Sequence, residues 1–278
     1  MKALKKILCL LLALSLLVLA ACGSFTPRMA VALKRLSELR SFHSETTLDA
    51  EVSLSLLGQE LPLALKAHAV GDHQAEPALN ALTLDLDVWE FTQRFLFFTH
   101  QEGDELTVSM SLDEGSSWMH QTLDLNEGDS EAGADISTTD LLGLAVALSS
   151  SFEEVESADG SFVSYEGEIP AEMMQQLLRS TGALERLSEA VGLELDDSVL
   201  SAVGALPAAV TIDQESGMIV LLRLDLTNLL SALTDQLVPL LLAQIGLDLE
   251  DAALSISRVE VVIELSQFDA VTVVPPAM

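Results

Sequence analysis

Apolar and polar residues alternate with a period of two over much of this chain, the pattern of strands with one buried and one wet face. Leu48, Ala50, Val52, Leu54 and Leu56 alternate with Thr47, Asp49, Glu51, Ser53 and Ser55. After a turn at 57–60, Leu61, Leu63, Leu65, Ala67 and Ala69 alternate with Pro62, Ala64, Lys66 and His68. A polar loop is expected at 71–77. Leu82, Leu84, Leu86 and Val88 then form the next set, and 94–100, 105–112 and 117–125 continue the series. The connections are short and rich in Gly, Asp and Glu, so these strands are expected to pair as successive antiparallel hairpins.

Helical spacing brackets and interrupts this meander. Met29, Leu33, Leu36 and Leu39 recur at helical intervals over 28–40, predicting one amphipathic helix ahead of the strands. A polar, acidic linker at 126–134 ends the first strand series, and a helix is expected over 141–150. The segment 155–169 reads as a strand pair around Asp159-Gly160. Pro170 suits the first turn of a helix at 171–178, with further helices at 183–191 and 196–203. Strands return at 206–213 and 218–226 around a turn at 214–217. The Leu-rich segment 227–245 is expected to form a packed helix limited or kinked at Pro239, followed by a strand at 255–265 and an extended run at 270–274. The predicted class is α+β: a long curved antiparallel sheet, half-barrel-like, with an N-terminal helix and an inserted helical cover.

The N-terminus changes the picture of location. Lys2, Lys5 and Lys6 precede a nearly unbroken apolar run at 7–19, short for a membrane span of ~20 residues. Leu19-Ala20-Ala21-Cys22 follows, which resembles the lipobox of bacterial lipoproteins at all four positions. That resemblance implies a signal peptide at 1–21, a diacylglyceryl thioether on Cys22, a short lipidated tether at 22–27, and one domain over 28–278. It places the protein outside the cytoplasm, anchored to the outer face of the bacterial plasma membrane. Cys9 would leave with the signal and Cys22 would be consumed by lipid, so the mature chain is expected to contain no disulfide or Cys metal ligand. Five extended residues between Cys22 and the first helix reach at most ~16–18 Å, holding the domain close to the bilayer.

Charge narrows the partners. Against 43 Asp and Glu stand 13 Lys and Arg, a formal charge of −30. Nucleic-acid binding needs clustered basic residues to neutralise phosphates, so none is expected. Docking on anionic lipid through a basic patch is disfavoured for the same reason. Yet 49% of residues are hydrophobic, enough to build a core, which separates this chain from acidic disordered ones.

No catalytic constellation emerges. Asp85 with Asp87, and Asp49 with Glu51, share strand faces as paired carboxylates would, but each alternates with apolar residues as a solvated sheet face does. His43, His68, His73, His100 and His120 are scattered without metal-ligand spacing. The acidic stretch 124–135 lacks the spacing of a calcium loop. There is no GxSxG elbow and no phosphate-binding glycine loop. No enzyme activity, metal or cofactor is therefore expected.

The order of elements resembles the LolA/LppX-like lipoprotein carriers, and more closely a family of uncharacterised Gram-positive cell-surface lipoproteins. The stretches that carry the likeness are Leu39-Arg40-Ser41-Phe42, the run from Gly103 to Met110 leading to Ser117-Trp118-Met119, Leu206 to Gly217, Leu224-Asp225-Leu226-Thr227, and Phe268 to Pro275. The resemblance implies a hydrophobic ligand, a lipid or acylated molecule, bound or transferred at the outer face of the membrane. Phe95 and Phe97 on one strand, with Met110 and Leu112 on its neighbour, are the candidate pocket residues. The alternative is a surface interaction or sensor module whose apolar face is simply a filled core. Alternation alone does not separate the two, nor does it give the oligomeric state.

Cys22→Ser is expected to release the protein from membranes without lowering its thermal midpoint, because the thiol anchors and does not pack. Fractionation in which the variant stays in the membrane pellet would refute the lipid anchor.

Overall fold

A computed structural model describes residues 27–56, 59–89, 91–124, 151–157, 160–180, 188, 202–245 and 252–276. The expected signal peptide, tether, linker at 126–134 and helices at 141–150 and 183–191 lie outside these residues, apart from a helical Ser188. So does most of 196–203, whose described end is not helical.

Six strands follow in sequence: β1 (Ser41–Leu56), β2 (Gln59–Gln74), β3 (Ala78–Val88), β4 (Phe91–Glu102), β5 (Glu105–Ser111) and β6 (Met119–Asp124). They pair as an antiparallel meander. A second meander comprises β7 (Phe152–Glu156), β8 (Phe162–Ile169), β9 (Leu206–Asp213) and β10 (Ile219–Asp225). The last strand, β11 (Ala252–Ser266), lies between β1 and β10 and pairs antiparallel with both. The result is one open eleven-stranded sheet in the order β6-β5-β4-β3-β2-β1-β11-β10-β9-β8-β7. Three helices accompany it among the described residues: α1 (Pro27–Ser37), α2 (Ala171–Ser180) and α3 (Thr227–Ile245).

Each helix has a local cause. Pro27 opens α1 with the fixed φ that suits a first turn, and α1 stops at Ser37, short of the expected Arg40, because β1 begins at Ser41. Pro170 precedes α2, whose first turn closes through Met174 N–H to Pro170 O at 3.1 Å. Asp225 caps α3, accepting from Thr227 N–H at 2.9 Å. Pro239 sits inside α3.

β2 extends through Gln74, correcting the loop expected at 71–77. Gly71 and the polar residues around it look like loop composition, but their side chains are used across strands. His43 Nδ1 meets Asp72 Oδ1 at 2.7 Å, and Ser44 Oγ meets His73 Nε2 at 2.8 Å. A Cβ on Gly71 would stand 2.9 Å from His73 Nε2 and 3.0 Å from Ser44 Oγ. Glycine is what leaves room for that pair. The run at 270–274 joins no strand. It forms a strap instead, held by Val271 N–H to Ser41 Oγ at 3.1 Å and Val273 N–H to Gln74 Oε1 at 3.0 Å.

Register assigns the two faces. Ala50, Val259 and Leu65 are cross-strand partners, as are Leu48, Val261 and Leu224. This core face carries the main buried cluster, from Val163 and Tyr165 through Val210, Leu222 and Leu224 to Val259 and Val261, with Ala32 of α1, Met174 of α2 and Leu229 of α3 packed onto it. Buried Tyr165 donates to Glu154 Oε2 at 3.1 Å, and Arg28 Nη1 reaches the same carboxylate at 3.4 Å, which ties α1 to β7. At the other end of α1, Arg35 bonds Ser216 O in the β9–β10 turn.

The opposite, outer face is ionic. Arg94 grips Asp85 through Nε at 2.6 Å and Nη2 at 2.8 Å, holding that carboxyl below its ordinary pKa. Lys66 pairs with Asp49, and Arg223 and Arg258 both reach Glu260. One carboxylate of each pair noticed in the sequence, Asp85 and Asp49, thus partners a cation on this face, while Asp87 accepts from the Thr92 hydroxyl. Only at one end is this face apolar: Leu79, Phe98 and Val273 are buried there beneath the C-terminal strap, with Trp118 against them.

Leu224, 1% exposed, sits at the centre of the core half, while Leu84 lies half-buried in the other half. Leu224→Ala is expected to cost about 2–5 kcal/mol and Leu84→Ala clearly less in urea unfolding of the two variants. Equal losses would show that the halves are packed alike.

Candidate functional site

The core face does not end where the helices end. Continuing across β2, β3 and β4 in register, Ala69 pairs with Leu84 and Leu84 with Phe95, while Leu82 pairs with Phe97. Phe97 then stands opposite Met110, and Met110 opposite Met119. All these side chains share the face that is buried on the other side of β1. None of them, however, reaches the burial of that half: Leu82, Leu84, Phe95, Phe97 and Met110 are half-buried and Met119 is exposed. The main buried cluster takes no member from β2 to β6, and only Leu65 of these strands packs against its margin.

Three of the four residues singled out from the sequence therefore come together on this face. Phe97 and Met110 are direct cross-strand partners, and the Phe95 and Phe97 rings lie 6.3 Å apart at 14°. Leu112 falls one residue beyond β5 and is 47% exposed, so it marks the rim. Outward of these, at the β3–β4 turn, Trp89 and Phe91 project into solvent, Phe91 at 79% exposure.

A polar line that the reading of the alternation missed crosses the same face near its other end. Ser44, His73, Asn80 and Thr99 come from β1, β2, β3 and β4. His73 Nδ1 lies 3.0 Å from Asn80 Oδ1, and Asn80 Nδ2 donates to Thr99 Oγ1 at 2.8 Å. With the amide oxygen facing Nδ1, that nitrogen carries the proton, so Nε2 accepts from Ser44 O–H. Burial pushes the His73 pKa below its ordinary value, favouring the neutral ring, and the Phe42 ring stacks on it at 4.5 Å. The serine–histidine–amide order resembles a hydrolytic triad in part. It lacks a built oxyanion site, since the strands around Ser44 are paired on both sides through their ladders. A signal did exist in the alternation: Asn80 and Thr99 occupy positions of the apolar set.

One concavity lies away from this face. A cavity of about 660 Å³ opens between β7, β8 and the start of α2, lined by Glu153, Glu166 and Glu168 with Val155 and Pro170. Three carboxylates make it a poor host for an acyl chain. Among the described residues, no group of three or more His, Cys, Asp or Glu side chains could hold a metal ion. Nor is any described helix long and apolar enough to cross a membrane.

Comparison with known proteins adds little. No family model matches the chain, and no curated protein matches it. Among solved structures, a DUF1329 family protein from Desulfovibrio piger is 11% identical over 88% of this chain and 92% of its own. Its TM-score of 0.19 carries no argument about fold or function.

Phe97 and the neighbouring Phe98 separate the two faces in one experiment. Phe98, 4% exposed beneath the C-terminal strap, is in a dry cluster, where a buried unpaired charge is strongly unfavourable. Phe98→Glu is expected to abolish cooperative thermal unfolding, whereas Phe97→Glu should retain it with a modestly lower midpoint. Loss of the fold in both variants would mean that Phe97 also lies in a filled core.

Proposed function

We propose that this chain is a lipid-anchored protein of the bacterial envelope that binds or transfers a hydrophobic ligand, a lipid or acylated molecule, and catalyses no reaction. Cys22 carries the anchor and places the domain at the outer face of the plasma membrane. The ligand lies on the β2–β6 half of the core face, against Phe95, Phe97 and Met110. In this reading the sheet is the half-barrel of a LolA/LppX-like carrier and the helices are its cover.

One observation carries the reading. Apolar side chains of the core face continue across β2, β3 and β4 to Met110 and Met119, yet full side-chain burial on this face stops at β1 among the described residues. A large apolar side chain left in water forgoes roughly 1.5–3 kcal/mol of stabilisation. A contiguous apolar patch rimmed by polar residues is the usual mark of a surface that meets an apolar partner. The acidic outer face, with its cross-strand ion pairs, is by contrast finished against solvent.

Diphenylhexatriene, a headless apolar fluorophore, tests this directly on the mature chain with Cys22→Ser, purified without detergent. Saturable emission is expected from the otherwise wild-type protein and should be lost in Phe97→Glu and Met110→Glu. Emission no greater than that of a control protein would leave the rival, a surface interaction module with a filled core, as the better reading.

A further inference from the structure

We propose that the Ser44–His73–Asn80–Thr99 line is a head-group station, and that the ligand is a single-chain amphiphile whose head carries an acceptor oxygen, such as a carboxylate. This rests on the preceding reading of the apolar face and names the class of molecule it takes.

The chemistry of the line is directional. Ser44 donates to His73, His73 to Asn80, and Asn80 to Thr99, so every donor points from β1 towards β4. Such chains polarise one another and strengthen the terminal donor. The terminal donor is the Thr99 hydroxyl, whose oxygen is occupied by Asn80 and whose proton meets no acceptor among the described residues. It is half-buried, and the next core-face residue along β4 is Phe97.

Length fits a single tail. From the Asn80–Thr99 pair, successive core-face pairs are Leu82–Phe97, Leu84–Phe95, Leu86–Gln93 and Val88–Phe91. Eight residues of strand from Asn80 to Val88 span roughly 27 Å. One leaflet's acyl chains fill about half of a ~30 Å hydrocarbon core, so an extended chain fits within the row, its end towards the exposed Phe91. A head at Thr99 accepts from its open hydroxyl, and the tail covers the half-buried leucines and phenylalanines.

The test displaces diphenylhexatriene from the mature Cys22→Ser chain with hexadecanoic acid. Thr99→Val keeps the shape and removes the donor together with the oxygen that Asn80 bonds, and Thr107→Val, which likewise breaks a cross-strand hydroxyl contact on the outer face, serves as control. Expected are unchanged fluorophore binding in all three proteins and displacement about tenfold weaker in Thr99→Val only, the worth of one hydrogen bond to a charged acceptor. Equal displacement in all three, or none from the parent, would overturn the head-group station while leaving the apolar face intact. Fluorophore binding lost in Thr99→Val would also overturn it, assigning Thr99 a structural role. Failure of the fluorophore to bind the parent protein would instead sink the reading beneath it.

Discussion

The pairing of β11 between β1 and β10 is the interaction on which the sheet depends. Two meanders, the first closed by local hairpins and the second by hairpins and the long β8–β9 connection that carries α2, have no contact of their own along the ladder until the last strand enters between them. β11 meets β1 from His43↔Ser266 to Leu56↔Ala252, and β10 from Leu221↔Glu264 to Asp225↔Glu260. The partners on β1 are roughly 200 residues away, the kind of separation that makes closure slow because loop entropy is lost before contacts form. Val259 and Val261, buried at this seam, make it the centre of the hydrophobic core as well as of the ladder.

Joining the meanders this way puts their apolar faces on one side. The period of two leaves no choice: once Ala50 faces Val259, Leu84 and Phe97 must share that face with Val210 and Leu224. α1 and α3 pack near β10 and β11, and α2 adds Met174 to the same cluster. Among the described residues, the asymmetry between a buried half and a half-buried half matches where the helices enter the sequence. α2 lies between β8 and β9 and α3 between β10 and β11, so both cover the second meander.

The outer face shows how a sheet of this acidity stays compact. Basic residues are few, and those on the described strands are placed opposite carboxylates, as Lys66 is to Asp49 and Arg94 to Asp85. Exposed pairs of this kind contribute little each, but they relieve like-charge contacts between strands. Where the face is apolar, the chain covers it with its own C-terminus, anchored by Ser41 and Asp269.

Strand alternation was legible because side chains repeat every two residues whatever the neighbours are. The order of strands and the shared face of Phe95 and Phe97 follow from that period, the short turn at 103–104 brings Met110 opposite Phe97, and the helices were legible from their own spacing and from Pro170. The strand expected over 105–112 ends one residue earlier, at Ser111, because a period does not say where a strand ends. The strand at 71–74 was hidden because Gly71, Asp72 and His73 read as a loop until their cross-strand partners are known. Tertiary structure alone decided that β11 sits between the meanders, that burial stops at β1, and that Ser44, His73, Asn80 and Thr99 form one line. Those facts depend on register between residues far apart in sequence, and a local pattern does not encode which distant strand it will meet.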